Sequence, residues 1–496
     1  MRCTLGVDIG TSSSKGVLVD EEGYILASST VTHEVQRPRV GHVEMDAQIW
    51  WDEFLFIGRA LLADVPDADV QGVGVSGMGP CVLLVDEAGR PVRQAILYGV
   101  DMRAMDQVDR LTKELGDEQI RKIGGSGLTS QSAGPKIVWV QENEPDVYEQ
   151  ATRFFMPASW LAYKLTDEFV LDHQSASQST PLYDVEGETW YQPWWDQLAP
   201  GIKQPELKWA GDIAGVVTPE AAQQTGIPAG TPVIAGTVDA WTEAVSAGAH
   251  GVGDLMLMYG TTMFLVATVD ETLRTPSMWT TVGAFEGTRN LAGGMASSGA
   301  LNQWFRDLTD SDYRALDAAA EESGVGARGL LMLPYFAGER TPILDPDARG
   351  VIAGLTLSHN RGDLFRAVLE STALGIRHNV ETMREAGADI RRIVAVGGGT
   401  KGELLLQIVS DATGLVQEVP ERTIGASYGA AFLAAGAVAN PGRTPDITDW
   451  NPPKKTVVPN PENTAAYDRA FEQYLALYKG TKGVVHQLAA EQEDSL

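Results

Sequence analysis

Two stretches of this chain share one design. Leu5 to Asp20, LGVDIGTSSSKGVLVD, is an apolar run, a Gly-Thr turn and a second apolar run. Leu255 to Asp270, LMLMYGTTMFLVATVD, repeats it. Each predicts two antiparallel strands joined at a tight turn. Gly10-Thr11 and Gly260-Thr261 occupy equal places, 250 residues apart, about half of the 496-residue chain. A self-similar unit opening each half predicts two similar domains sharing one cleft. Chance recurrence is the alternative, because Gly-Thr turns are common, so other motifs must agree.

The first turn has chemistry of its own. Gly10 lets the backbone turn sharply and come close to a ligand. Successive N–H groups and the hydroxyls of Thr11, Ser12 and Ser13 form an anion-binding concavity. Lys15 adds a positive charge, and Asp8 offers oxygens suited to a hydrated Mg²⁺. It is not a P-loop, because the GxxxxGK[ST] spacing is missing and a strand, not a helix, follows the turn. By itself the segment reads either as a phosphate hairpin or as an ordinary hairpin with a polar turn.

Charge narrows the partners. The chain carries 38 basic and 66 acidic residues, a formal net charge of −28. That argues against nucleic acid or an anionic membrane, both of which need basic surface. An anionic ligand must be held by local amides and a metal, against the overall field. An apolar fraction of 44% with 53 glycines fits an α/β chain with many tight turns. Cys3 and Cys81, both in apolar contexts, read as buried small hydrophobes of a reducing cytosol. No basic and apolar leader pattern precedes the first strand, so no signal peptide is expected, and the expected location is cytoplasmic. Gly429 to Ala439, short and rich in Ala and Gly, reads as a packed helix and not a membrane span. The seven histidines lack ligand spacing, so no zinc site is proposed.

Along the chain, Tyr24 to Thr30 reads as a third strand. Asp46 can cap a helix whose apolar face is Ile49, Trp50, Phe54, Ile57 and Leu61. Gln71 to Asp86 is a buried strand, a Gly-rich bend and another strand. Lys136 to Tyr148 is a helix ended near Pro145, and Pro157 to Thr166 is another. Thr166 to Gly211, rich in Trp, Pro and polar residues, reads as loops covering a cleft. Pro232 to Ala235 is a strand that meets Gly236, and Asp239 starts a small-residue helix. That aspartate could be a general base, although a lone aspartate at a helix start is more often an N-cap. Later come a helix from Ala296 to Leu308, a long helix from Asp363 to Glu385, and a strand, Ile393 to Val396. The strand runs into Gly397-Gly398-Gly399 and a helix closed by Gly414. This glycine turn could hold a nucleotide at the helix N-terminus or simply allow close packing. It is not GxGxxG, which argues against a dinucleotide. After a small-residue helix at Ala426 to Ala437, the chain is Pro-rich to about Pro461 and then polar and helical.

The combination of two Gly-Thr hairpins, a Gly-rich strand–helix turn and one aspartate at the junction describes a nucleotide-triphosphate cleft. Here the chain resembles the FGGY family of carbohydrate kinases, within the actin/hexokinase-like ATPase superfamily. DIGTSSSK is similar to the family's first phosphate motif, VIAGTVDAW to its aspartate motif and YGTT to its second phosphate hairpin. GGGTKGELLLQIVSDATG is similar to its adenosine motif, and Gly350 to Glu370 to its long C-terminal signature. PYFAGERTP, Pro334 to Pro342, looks like xylulokinases in particular.

The resemblance implies an α/β fold of two actin-like (ribonuclease H-like) domains. Each would be a mixed five-stranded sheet flanked by helices, with ATP and sugar between them. It implies an N-terminal domain over 1–248, a C-terminal domain over 249–445 and an extension over 446–496. By the same resemblance, Asp239 is the catalytic base and Asp8 the carboxylate that holds Mg²⁺ through water. Gly10, Thr11, Ser12, Ser13, Lys15 and Thr261 contact phosphates, Gly299 and Gln303 lie near the nucleotide, and Gly398, Gly399 and Glu403 line the adenosine site. Implied cofactors are ATP and Mg²⁺; the implied partner is a small sugar or polyol, with a homodimer as the assembly considered.

On the sugar side the chain departs from the pattern. Met78-Gly79-Pro80 stands where xylulokinases carry Gln-Met-His. Tyr98-Gly99-Val100-Asp101 replaces a Trp-Asn/Gln-Asp loop, keeping the Asp. Gln131 and Ala133 break the first signature, while Lys136 and Trp139 keep it. Ala240-Trp241 stands where many relatives place a sugar-touching amide. Pocket candidates are therefore Met78, Tyr98, Asp101, Gln131, Asp239 and Trp241, with Met78 and Tyr98 as core residues on the alternative reading. A ketopentose such as xylulose leads, ahead of a tetritol, pentitol, branched sugar or sugar acid. A non-catalytic ATP-driven clamp or sugar sensor is the reading from another class, disfavoured by Asp8, Asp239 and the signature at 350–370.

Overall fold

The computed structural model describes residues 1–439 and 446–493. The opening hairpin forms as β1 (Arg2–Ile9) and β2 (Ser13–Asp20), and β3 (Ile25–Thr32) extends it antiparallel. Asp46 caps α1 (Ala47–Asp64), its carboxylate accepting from the Gln48 N–H at 2.9 Å. Trp50, Phe54, Ile57 and Leu61 then fall on one helical face and are fully buried. β4 (Asp69–Gly77) lies parallel to β1 on its other side. β5 (Ile213–Val216), β6 (Pro232–Ile234) and the short β7 (Thr237–Val238) complete a seven-stranded sheet. Its order is β5-β6-β4-β1-β2-β3, with β7 also paired to β4. From β7 the chain passes directly into α2 (Asp239–Ala247).

The second half builds another seven-stranded sheet. Its hairpin is β8 (Asp254–Tyr259) and β9 (Met263–Val269), with β10 (Trp279–Val282) and β11 (Arg289–Met295) following on the β9 side. After α3 (Gly299–Leu308) and the long α4 (Arg361–Glu385) come β12 (Arg392–Val396), α5 (Glu403–Thr413) and β13 (Val416–Pro420). The strand order is β10-β11-β9-β8-β12-β13-β14, where β14 (Pro453–Val457) comes from the Pro-rich extension.

Five strands have the same order and sense in both sheets. They are β3-β2-β1-β4-β6 in the first and β11-β9-β8-β12-β13 in the second. The recurrence of the hairpin is thus a recurrence of the whole sheet core. Seven strands rather than the expected five make each sheet, because β5 and β7 join the first and β10 and β14 the second. The segment 166–211 also differs from expectation. It holds short strands and two helices, His173–Ser177 and Gln192–Leu198, around a buried cluster with Trp190, Trp194 and Trp195. Its tryptophans bury enough area to order the segment.

One helix ties the halves together. α6 (Ala426–Ala439) belongs by sequence to the second half, yet it packs on β1 and β4 of the first sheet and against α2. A Cβ on Gly74 would lie 1.9 Å from the Ala430 carbonyl oxygen, and one on Gly6 would lie 2.0 Å from that of Ser427. The helix backbone therefore rests directly on the sheet, which explains why both contact faces are rows of Gly and Ala. The polar tail forms α7 (Thr464–Glu493), whose Tyr467 and Tyr474 are buried in the second core.

Gly74→Ala should destabilise the protein by about 1–3 kcal/mol or more, since neither the strand nor the helix backbone can retreat. Gly58→Ala in α1, where nothing stands within 4 Å of the added carbon, should be neutral or stabilising. Urea unfolding of the two proteins checks this, and equal midpoints would contradict the direct sheet–helix contact.

Candidate active site

The first hairpin is braced from behind. Asp8 and Lys15 stand opposite each other across β1 and β2, and the Gly10 N–H donates to the Ser13 carbonyl at 3.1 Å. The Thr11 hydroxyl meets the Tyr98 hydroxyl at 2.9 Å. Beneath the turn, His33 reaches the Gly10 carbonyl through Nε2 at 3.1 Å and Glu53 through Nδ1 at 2.9 Å. Glu53 also accepts from the buried Ser14 hydroxyl. Ser12 and Lys15 stay exposed toward the cleft. No spacing rule reveals His33 and Glu53, because they meet only when β3 and α1 pack together.

The second hairpin is fastened to a helix. The Gly260 N–H donates to Thr262 O at 3.1 Å, the Gly299 N–H to Gly260 O at 3.0 Å, and the Ala300 N–H to Thr261 O at 3.1 Å. The start of α3 is thereby fixed beside an exposed Thr261. The glycine turn that precedes α5 packs on the same place. A Cβ on Gly397 would lie 2.7 Å from Tyr259 O, and one on Gly399 would lie 2.8 Å from Tyr259 Cβ, so close packing requires those two glycines. Gly398 has nothing within 4 Å and faces open space. Gln303 is exposed on α3, and exposed Glu403 pairs with Lys455 at 2.8 Å.

Acidic groups gather where β1 meets α2. Asp239 is the first residue of α2, and its Oδ1 accepts from the Ala240 N–H at 2.8 Å. Glu243, one turn on, projects from the same helix face. Burial pushes the Asp239 carboxyl up to about 6, with the Ala240 N–H working against the shift. Asp8 is pushed up to about 8, first by burial and then by the charge of Asp239, while the Ser76 hydroxyl and Lys15 oppose this. Glu243 rises to about 7 through burial and the charge of Asp239, with Lys15 opposing. Oδ1 of Asp8 is covered and has no hydrogen-bond partner. The sequence reading missed Glu243; its only signal is the four-residue spacing from Asp239.

Next to this cluster a cavity of about 250 Å³ opens between the two sheets. Met78, Tyr98, Gln131, Asp239 and Trp241 line it from the first half. Phe264, Trp279, Thr281 and Arg340 face them from the second. Trp241 crosses the gap, its indole N–H donating to Asn290 Oδ1 at 2.9 Å. Gln178 also lines the cavity, from the segment that reads as loops in sequence. Trp279, Arg340 and Gln178 carried no pocket signal in sequence, because their approach depends on how the two sheets face each other.

Asp101 is a correction. It is fully buried and does not line the cavity. Its Oδ2 accepts from the Val43 N–H at 2.6 Å and from the Arg103 guanidinium at 2.8 Å. An ion pair so placed supports the 97–103 loop rather than a ligand. Lys136 does the same from the other side, donating to Leu97 O at 2.6 Å and Tyr98 O at 2.8 Å. Burial lowers its ammonium to about 8.

Among the described residues no helix is long and apolar enough to cross a membrane. Comparison with known proteins agrees with this architecture. The N-terminal domain of the FGGY family of carbohydrate kinases matches residues 3–246, and the C-terminal domain of that family matches residues 255–438. Xylulose kinase of Escherichia coli K12 is 30% identical, covering 96% of this chain and 98% of its own. Glycerol kinase of Clavibacter michiganensis is 29% identical over 88% of this chain and 89% of its own. The crystal structure of xylulose kinase from Rhodospirillum rubrum superposes with a TM-score of 0.92 at 30% identity, covering 98% of this chain and 100% of that one. The actin-like ATPase architecture and the two matched domains place this chain in the FGGY family of carbohydrate kinases, and it phosphorylates a carbohydrate at the expense of ATP.

Proposed function

We propose that the chain transfers the terminal phosphoryl group of ATP to a hydroxyl of a ketopentose such as D-xylulose, with Asp239 as the base. One observation carries this. The Asp239 carboxylate lines the cavity between the sheets and also lies close enough to Asp8 to raise its pKa. It therefore stands between a sugar-sized space and the phosphate hairpins. Phosphoryl transfer passes through a loose transition state, so the protein mostly positions groups and offsets charge. Asp239 accepts the proton of the attacking hydroxyl. The amides and hydroxyls of Gly10, Thr11, Ser12 and Ser13, the Lys15 ammonium, and Thr261 from the facing hairpin surround the phosphates. Gly299, Gln303, Gly398, Gly399 and Glu403 hold the nucleotide end. A cavity shared by both halves closes as they approach, which keeps water from the phosphoryl group.

Asp8 fits a divalent cation. Its covered Oδ1 lacks a partner, and Lys15 is a cation that acts on both Asp8 and Glu243. Asp8 would hold Mg²⁺ through water, and bound Mg²⁺ supplies positive charge to the phosphate oxygens. Among the described residues, three carboxylate or imidazole ligand atoms converge within 4.8 Å only at Asp345, Asp347 and His486, away from the cleft. The cleft acids thus form no closed cage of three protein ligands, which is compatible with an ion that keeps its waters. Xylulose as the sugar is supported by the xylulose kinases among the relatives. The glycerol kinase at similar identity and the departures at Met78, Gly99 and Trp241 support a polyol as the second reading. Two free, buried cysteines support a cytoplasmic location.

ADP release should be measured across ketoses, polyols and aldonates, with D-xylulose expected to give the highest kcat/KM. A panel in which no compound exceeds background would overturn the pocket assignment. Asp239→Ala should bind ATP normally and lose transfer by about 10²–10⁴-fold; unchanged turnover would remove Asp239 from the base role.

The acidic cluster also predicts a pH dependence of stability. Asp8, Asp239 and Glu243 bind protons more tightly folded than unfolded, because their folded pKa values are about 8, 6 and 7. Their contribution is favourable at low pH and is lost as pH rises through that range. In EDTA, wild-type protein should therefore lose more stability between pH 6 and pH 8.5 than Asp8→Asn does. Added Mg²⁺ should stabilise wild type at pH 8.5 more than the variant. Thermal unfolding checks both, and parallel pH profiles for the two proteins would refute the assignment.

A further inference from the structure

Two neighbouring departures on the sugar side turn out to be one feature. Gly99 and Gln131 lie 32 residues apart, on the loop after the strand Ala95–Ile96 and on the turn before the helix Ala133–Asn143. The Gly99 N–H donates to Gln131 Oε1 at 3.0 Å. Because that partner is a donor, the amide oxygen must be the atom on the Gly99 N–H, which leaves the NH₂ to donate elsewhere. A Cβ on residue 99 would stand 2.5 Å from Gln131 Nε2 and 2.6 Å from Cδ. The Gln131 amide thus occupies the space that any side chain at position 99 would need.

The turn holding Gln131 is rigid. Its own N–H donates to Thr129 Oγ1 at 3.1 Å, the Thr129 N–H donates to Ser132 Oγ at 3.1 Å, and the Ser130 hydroxyl donates to Gly99 O at 3.1 Å. The loop is fixed from below by Lys136 and Asp101, as described. Gln131 lines the cavity and Gly99 does not. None of the described residues accepts a hydrogen bond from Gln131 Nε2. A half-buried amide with its oxygen satisfied and its NH₂ unpartnered in a ligand-sized cavity is a preset donor, and a ligand oxygen is the partner it lacks.

Resting on the sugar-kinase reading above, we propose that Gln131 is a specificity-determining residue whose side-chain NH₂ donates to a hydroxyl or carbonyl oxygen of the sugar, and that Gly99 exists to make room for it. The pair acts as a unit: the glycine supplies space and an N–H, and the glutamine supplies the group that reads the substrate. A substrate lacking oxygen at that position leaves the donor unpaired and is discriminated against.

The test compares Gln131→Glu, Gln131→Ala, Gly99→Ala and the double Gly99→Ala/Gln131→Ala with wild type. D-xylulose is the varied sugar, and if the panel ranks another compound first, that compound is used. Gln131→Glu keeps the acceptor for Gly99 but removes the donor. It should raise the sugar KM about five- to tenfold with ATP KM and melting temperature unchanged. Gly99→Ala pushes the amide aside and should raise the sugar KM to a similar extent. The double variant should be no worse than Gln131→Ala alone, because the two residues share one interaction. Wild-type KM in Gln131→Glu would overturn the donor role, and additive losses in the double variant would overturn the pairing. Wild type without sugar-dependent turnover would instead count against the sugar-kinase reading itself, so the two failures are told apart.

Discussion

Three carboxylates gathered beside one ammonium set the terms for the rest of this molecule. Asp8 is the penultimate residue of the first strand, Asp239 opens α2 and Glu243 follows one turn later, with Lys15 opposite Asp8 across the hairpin. Burial makes each of them resist ionisation, and the charge of Asp239 adds to this at Asp8 and Glu243. A fold that keeps them together must be held elsewhere. Here that support is the direct seating of α6 on β1 and β4, where Gly6 and Gly74 admit the helix backbone itself. The strand that carries Asp8 is also the strand under that helix. Strain at the site and rigidity beneath it therefore lie on one element.

The two hairpins solve the same problem in different ways. In the first, the turn is braced by side chains, through His33, Glu53 and Ser14. In the second, it is braced by backbone, through the N–H groups of Ser298, Gly299 and Ala300. Both leave exposed hydroxyl residues at the turn, Ser12 in the first and Thr261 and Thr262 in the second. A loose transition state gains most from donors that do not reorganise, and either brace supplies that. The equal sheet cores explain why two hairpins face each other at all: each turn sits at the end of the first strand of its own repeat.

Much of this was legible in sequence because it rests on local rules. Gly-Thr between apolar runs is a turn wherever it occurs, Asp46 before an amphipathic run is a cap, and Asp239 after a buried strand must lie at a strand–helix junction. What was not legible depends on distant packing. Nothing local in Asp101 distinguishes a ligand from an ion-pair partner; only Val43 and Arg103, brought close by the fold, decide it. Arg340 and Trp279 lie far from Asp239 in the chain and reach the cavity only because two sheets face each other. The tryptophans of 166–211 carry no periodicity, so their ordering into a cluster could not be read. The sheets exceeded five strands because edge strands such as β14 are recruited from segments without a strand pattern of their own.

The division between intact and altered positions has a physical basis. The groups proposed to meet ATP are backbone amides and short hydroxyls at hairpin turns, whose placement is inseparable from the sheets. The groups proposed to meet the sugar are mostly side chains on loops, supported by a separate set of buried contacts. Asp101 and Lys136 hold the 97–103 loop through main-chain partners, whatever side chains that loop presents. Gly99 and Gln131 can therefore change together without disturbing the supports below, whereas Tyr98 also meets the Thr11 hydroxyl of the first hairpin. Trp241 shows the limit of that freedom. Its N–H is committed to Asn290 of the facing sheet, so it shapes the pocket as an apolar wall while also joining the two halves. On the proposed reading, a change at Trp241 would alter the contact between the halves as well as fit, whereas a change at Gln131 would act on fit and on its bond to Gly99.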